Sequence, residues 1–295
     1  KDALIEKPRM IALINTVSPL SLDERMLDCL MILAEYGQPA ILCPATMLGA
    51  TGSISMAGTL ASGAAESLAG IVLAQMIRPG TPVVFGVQST AADMKGGITF
   101  ACAAPEGTLM QGFAANMAKF YGLPSRGGGC QTDAPVINCQ AGYESMLTFS
   151  SAYRHGINFV MEAGGVMDSV NATSFEKMLV DFEIIRQVKV SFTPIEVNEE
   201  TLNMEEIEEI GHDGTFVTAE STMDNFMDLY SPRVGSRIGK GPDYFKQSID
   251  KEMDRLMKKY ESNRPELDAS VREKVKEILV ASGLPKEELD KIDTM

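Results

Sequence analysis

The sequence has no tryptophan and only two histidines, His155 and His212, among 295 residues. Two histidines exclude a three-histidine metal site. The five cysteines (Cys29, Cys43, Cys102, Cys130 and Cys139) contain no CxxC pair from which a zinc site would be built. Their odd number and wide spacing also argue against a disulfide scaffold, so they read as reduced thiols, mostly in core positions. The sequon Asn171-Ala172-Thr173 then carries no meaning. No GxGxxG turn follows the first strand, and no GxxxxGK[ST] loop or GxSxG elbow occurs anywhere. Dinucleotide, phosphate-loop and serine-hydrolase chemistry therefore have no sequence support.

Positive charge is scarce as well. Lys and Arg number 26 against 40 Asp and Glu, a net charge of −14. The resulting isoelectric point near 4.7 leaves no basic excess to neutralise phosphates. A nucleic-acid partner is not expected, and an acidic field favours cationic ligands or a basic partner surface. Long apolar runs are missing too: the most apolar window, Leu68 to Ile77, is short and rich in Ala and Gly, so no membrane span is expected. No signal peptide precedes Pro8, and the lack of an initiator methionine suggests a chain that begins partway through a longer one. A soluble cytoplasmic protein is the expectation.

What is present is 45% hydrophobic residues at a mean hydropathy of zero, enough for one large core. Met10-Ile11-Ala12-Leu13-Ile14, ending at Asn15, is a short continuous apolar run suited to a strand buried on both faces. A helix opened by Ser21 and stopped at Gly37 follows, then a strand from Pro39 to Cys43. Further along, a helix from Leu60 to Ile77, a strand from Pro82 to Val87 and a short strand from Gly97 to Cys102 are expected. Pro105 starts a helix ending near Tyr121; Asn138 to His155 is helical, Ile157 to Glu162 a strand and Thr173 to Gln187 a helix. Beyond Val190 charged helices take over, at Glu199–Ile210, Ala219–Leu229, Pro242–Tyr260 and Val271–Ser282.

Repeated strand–helix order indicates an α/β fold with a parallel sheet and outer helices. The strands end in Asn15, Pro44, Gln88 and Glu162, polar or turn residues where a barrel places its catalytic groups. The expectation is a (β/α)8 TIM barrel, with residues 1–198 forming the C-terminal part of the barrel and its active-site loops, and 199–295 a helical extension. Only about five or six strands are countable against the eight that close such a barrel. Either further strands precede Lys1, or the fold is not a closed barrel.

Candidate chemistry gathers in three places. The first is Ser125-Arg126-Gly127-Gly128-Gly129-Cys130-Gln131-Thr132-Asp133-Ala134-Pro135, where glycines allow close approach and Gln131 and Asp133 offer an amide and a carboxylate. It also reads as an ordinary loop in which Thr132 or Asp133 caps the next helix. The second is one helix face carrying Gln140, Tyr143, Glu144 and Leu147, either a solvated surface or a pocket lining. The third is the strand leading to Glu162, at the end where barrel active sites gather; His155, before that strand, is the weaker candidate and also suits a helix cap.

Several stretches carry a resemblance: Ala12 to Leu20, Gly127 to Pro135, Gln140 to Glu144, Gly156 to Gly165 with Met167-Asp168-Ser169, and more weakly Gly211 to Thr222. In this order they resemble the trimethylamine methyltransferase family. The resemblance implies a β/α barrel that moves a methyl group from a methylamine to the cobalt of a separate corrinoid (cobalamin) protein. The archaeal trimethylamine members carry pyrrolysine, which this sequence lacks, so the likeness is to the subgroup without it, typified by glycine betaine and other quaternary amines. On that reading Tyr143 would face the cation, Glu162 or Asp133 would offset its charge, and Gln131, Asn15 and His155 would serve a donor carboxylate. The resemblance implies no cofactor or metal held by the chain itself. Two alternatives stay open: a barrel lyase, for which Lys95 is the one lysine near a strand end, and a quaternary-amine binding module without catalysis. The 19 methionines suit subunit or corrinoid-protein docking, as in a homo-oligomer, or plain core filling.

Overall fold

The structure, a computed structural model, describes residues 2–97, 99–264, 268–285 and 288–289. A short helix α1 (Asp2–Glu6) leads to strand β1 (Ala12–Asn15). Helix α2 (Glu24–Glu35) starts later than Ser21 suggested, because Asp23 is the cap and its side chain accepts the Met26 amide at 3.1 Å. Strand β2 (Ala40–Cys43) is buried along its whole length. After β3 (Met47–Leu48) comes α3 (Met56–Ile77), then β4 (Val83–Phe85) and a hairpin of β5 (Thr90–Asp93) and β6 (Thr99–Ala101). The strand expected at Gly97 to Cys102 is β6; Ile98, within that span, lies outside the described residues.

Helix α4 (Pro105–Phe120) opens on a proline, whose missing N–H would have had no partner in the first turn anyway. Strand β7 (Arg126–Gly128) follows, then α5 (Cys139–His155), capped by the Asn138 side chain and ended by Gly156 at φ +66°. Strand β8 (Phe159–Met161), an antiparallel pair β9 (Val166–Met167) and β10 (Ala172–Thr173), and α6 (Phe175–Ser191), capped by Ser174, complete this part.

Strands β1, β2 and β4 pair in parallel, with Ala12 opposite Ala40 and Ala40 opposite Val83. A parallel bridge from Phe85 to Ser125 continues toward β7, which pairs in parallel with β8. The helices α2, α3, α4 and α5 make the crossovers between these strands. Alternation along the strands divides their side chains between two faces. Ile14, Ala40, Leu42 and Val83 pack against Leu30, Leu33 and Ala74 of the helices. Leu13, Ile41, Cys43, Val84 and Met161 cluster separately.

The expected (β/α)8 TIM barrel does not form. Among the described residues the strands fall into four small open sheets of three, two, three and two strands. Among the described residues β1 and β8 pair on one side only, and the β5–β6 and β9–β10 pairs are antiparallel. The α/β class holds. Strand–helix repetition dictates parallel pairing and a helical layer, whereas closure depends on strand number, tilt and stagger, which no local pattern encodes.

Helix α3, at 22 residues, is long and apolar enough to cross a membrane by length and composition alone. It packs against α2, β2, β4 and α4 and buries Thr59, Glu66 and Ser67, as a core helix does.

The helix expected at Glu199–Ile210 is two, α7 (Glu199–Leu202) and α8 (Met204–Ile210), because Asn203 turns left-handed at φ +47°. Then come α9 (Glu220–Asn225), a single 3-10 turn (Phe226–Asp228), α10 (Tyr244–Ser262) and α11 (Ala269–Ala281). Buried Glu183 of α6 holds the segment before α10, accepting the Arg233 and Val234 amides at 2.8 and 3.0 Å and the Tyr230 hydroxyl. Residues 1–250 form one compact unit and 251–295 a second.

Candidate functional site at the strand ends

The parallel strands β1, β2, β4, β7 and β8 release their chains at the same end, and polar side chains collect there. Arg126 begins β7 on the face shared with Cys43, and its guanidinium Nη1 lies 3.4 Å from the Cys43 sulfur. Its Nη2 donates to both carboxylate oxygens of Glu162, at 2.8 and 2.6 Å. Strand alternation would send residue 162 away from the face of Met161. The left-handed conformation of Glu162, at φ +49°, breaks that alternation and turns the carboxylate back over Arg126. Arg126 is 1% exposed, and the Glu162 side chain keeps 20% of its surface open.

The chain of contacts continues sideways. Gln131 Nε2 donates to Glu162 at 3.5 Å, and Gln88 Nε2 donates to Gln131 Oε1 at 3.3 Å. The Gln131 backbone N–H donates in turn to the Thr148 hydroxyl at 3.2 Å. Cys43, Gln88, Arg126 and Glu162 thus link the end of β2, the chain leaving β4, the start of β7 and the end of β8. Arg126 Nε is buried without a hydrogen-bond partner. Burial pushes the Cys43 thiol up; the Arg126 charge pulls it down by less, and the Glu162 carboxylate adds to the rise. Cys43 is therefore a protonated thiol at neutral pH and no nucleophile.

The glycine run serves these side chains. A Cβ on Gly128 would lie 2.3 Å from Gln131 Oε1, and one on Gly129 would lie 2.5 Å from the Ala163 Cα. Glycine therefore lets Gln131 fold back and lets the chain beyond Glu162 run against the loop.

The structure brings Glu162 and Gln131 together and places Asn15 at the end of β1, paired with Cys43 in register and exposed. Asp133 lies apart from them in a structural junction: it accepts the amides of Cys102 and Ala103 at 2.9 and 3.2 Å and the Ser169 hydroxyl at 2.7 Å. Those contacts pin a left-handed turn in which Asp168, Ser169 and Val170 all have positive φ. Tyr143 is 63% exposed on α5, while its neighbour Glu144 takes the Thr132 hydroxyl at 2.6 Å and the Asp133 amide at 2.9 Å. His155 sits in the last turn of α5, ahead of β8 and so at the opposite end of that strand from Glu162. Its Nδ1 lies 2.9 Å from the Ser151 carbonyl, and its ring packs on Gly112 of α4. Lys95 lies in the exposed turn of the β5–β6 hairpin.

The sequence marks Gln88 only as a strand end and does not single out Arg126 or Glu66. Glu66 carried a signal: it is the one charged residue in helix α3 and it is buried. Among the described residues no cluster of His, Cys, Asp or Glu could hold a metal ion. All five cysteines are free, with Cys43, Cys102 and Cys130 buried and Cys29 and Cys139 exposed.

Comparison with known proteins places these residues in a family. Residues 1–281 match the family described as trimethylamine methyltransferase (MTTB). The chain is 41% identical over 238 residues to the glycine betaine methyltransferase of Desulfitobacterium hafniense (strain Y51), covering 80% of this chain and 50% of that protein. It is 34% identical over 217 residues to trimethylamine methyltransferase MttB1 of Methanosarcina acetivorans, covering 74% and 43%. It is 36% identical over 180 residues to the proline betaine:corrinoid methyltransferase of Eubacterium limosum, covering 60% and 37%. The matched region thus spans half or less of these relatives' own length. The chain belongs to the trimethylamine methyltransferase family.

Proposed function

We propose that this chain carries the donor site of a cytoplasmic methyltransferase that moves a methyl group from a quaternary amine to the Co(I) of a separate corrinoid protein. Residues 1–198 hold the site, and 199–295 form an extension whose described residues carry helices α7 to α11. The observation that carries this reading is the Glu162 carboxylate. Glu66, Asp133 and Glu144 each accept three hydrogen bonds from the fold around them. Glu162 is held by Arg126 and Gln131, yet its side chain keeps 20% of its surface open at the strand ends, where a carboxylate can meet an ammonium group. Gln131, in contact with Glu162, and Asn15, at the end of β1, are the polar contacts for the rest of the donor. Two of the relatives are named for betaines, which are quaternary amines.

The chemistry asks little beyond placement. When Co(I) attacks the N-methyl carbon, the C–N bond breaks, its electron pair stays on nitrogen, and a neutral tertiary amine leaves. No proton has to move, so no acid or base is required. The chain has to hold the donor in line and keep water away.

The test is to mix the purified protein with cob(I)alamin and, separately, glycine betaine, choline, tetramethylammonium or trimethylamine, and to follow the cobalt spectrum. Conversion to methylcobalamin with a quaternary donor is expected. Conversion with trimethylamine alone would overturn the donor class. Tight binding of a quaternary amine without any conversion would make the chain a binding module.

A further inference from the structure

Glu66 is the one charged residue in the 22-residue helix α3, and it is 4% exposed. A carboxylate buried in this way is costly unless donors surround it. All the side-chain donors come from one place, the turn that follows β1. The hydroxyls of Thr16 and Ser18 both donate to Glu66 Oε2, the latter at 2.8 Å, and the Leu20 amide donates to Oε1 at 2.8 Å. Ser18 also contacts the Thr46 hydroxyl at 3.2 Å, which ties the turn to the chain leaving β2.

The turn needs such a holder. Val17 and Ser21 close it with two backbone hydrogen bonds, and Leu20 is left-handed at φ +54°, a conformation that costs a branched side chain energy. Its apolar side chains are not buried in the core: Val17 is 50% exposed and Leu20 67%. Asn15 is the residue immediately before this turn. The turn therefore sets Asn15 and two apolar side chains at the end of the strands where Glu162 opens.

We propose that Glu66 is a positioning residue for methyl transfer: it fixes the turn of residues 16–20 so that Asn15, Val17 and Leu20 stand over the donor. This rests on the function proposed above. Its carboxylate acts through the turn and is itself buried away from the donor.

The experiment compares wild type, Glu66→Gln and Thr16→Val. It measures steady-state methyl transfer from glycine betaine to cob(I)alamin, hydrogen–deuterium exchange of residues 16–21, and the thermal midpoint. In both variants KM for the donor should rise about tenfold with kcat changed less than twofold, and amides in the turn should exchange about tenfold faster than in wild type while those of the strands are unchanged. Thr16→Val keeps the buried carboxylate and two of its donors, so it gives the answer if Glu66→Gln does not fold. A lowered thermal midpoint with unchanged KM would make Glu66 purely structural and overturn the proposal. Unchanged exchange in the turn would overturn it too, whatever the activity. If wild type transfers no methyl group from any donor while the turn still loosens in the variants, the proposed function fails and takes this role with it.

Discussion

Arg126 and Glu162 are 36 residues apart in the chain, yet one guanidinium nitrogen of the first donates to both carboxylate oxygens of the second. The pair is lopsided, since Arg126 is 1% exposed and Glu162 20%. Removing the carboxylate strands a charge that water cannot reach, whereas removing the guanidinium leaves a carboxylate that can hydrate. Glu162→Ala should therefore cost about 3–5 kcal/mol of stability, and Arg126→Met less, in urea unfolding. Equal or reversed costs would show that the two charges are equally solvated.

Gly128 and Gly129 should respond differently to alanine. At Gly129 the new Cβ meets backbone at 2.5 Å, and backbone cannot step aside. A loss of about 1–3 kcal/mol is expected from such crowding. At Gly128 it meets the movable end of Gln131, so Gly128→Ala should fold with a smaller loss and disturb the contact between Gln131 and Glu162. Thermal unfolding of the two variants checks the order.

Lys177 and Asp181 form an ion pair with both side chains fully buried, and the Lys177 ammonium also donates to the Ser145 hydroxyl at 2.9 Å. Burial pushes the Asp181 carboxyl up, against the pull of Lys177. Lys177→Met should cost about 3–5 kcal/mol because it leaves a buried carboxylate without its counter-charge, with the Gly165 amide still donating to it. The double variant Lys177→Met with Asp181→Leu should recover most of that loss. Denaturant titration of both proteins decides, and no recovery would mean that packing, not charge, sets the cost.

Burial is the largest influence on the Cys43, Cys102 and Cys130 thiols, and it pushes all three above their ordinary value of 9.0. In the unfolded chain they ionise near that value, so above it the unfolded state holds fewer protons than the folded one and stability falls with pH. Each thiol adds at most about 1.4 kcal/mol per pH unit to that fall. Urea unfolding at pH 7, 9 and 10 should show the decline. Iodoacetamide at pH 8 should modify Cys29 and Cys139 in the native protein and spare the other three.

Local chemistry made parts of this fold legible. Asn138, Gly156 and Pro105 mark helix ends through hydrogen bonds and backbone angles within a few residues, and the structure places α4 and α5 where those residues indicate. Asp23 outcompeted Ser21 for the same reason at closer range. Glu162 was legible as a strand-end carboxylate, but its partner was not, because the pairing of β7 with β8 is a long-range register. The glycine run suggested approach to a ligand, whereas its close neighbours are Gln131 and the Ala163 backbone. Asp133 looked available for a substrate until the amides of Cys102 and Ala103, about thirty residues earlier, were seen to occupy it. Barrel closure was the largest overreach, since repeated strand–helix units specify neighbours and say nothing of whether the outer edges meet.

The central claim is that the open carboxylate of Glu162 holds a cationic methyl donor. Its most direct test is kcat/KM for methyl transfer from a quaternary amine to cob(I)alamin by wild type and by Glu162→Gln, which keeps the shape and an acceptor for Arg126 while removing the charge. A loss of about a hundredfold in kcat/KM, with the variant folded, is predicted. Transfer by Glu162→Gln at the wild-type rate would contradict the claim and remove Glu162 from the donor site.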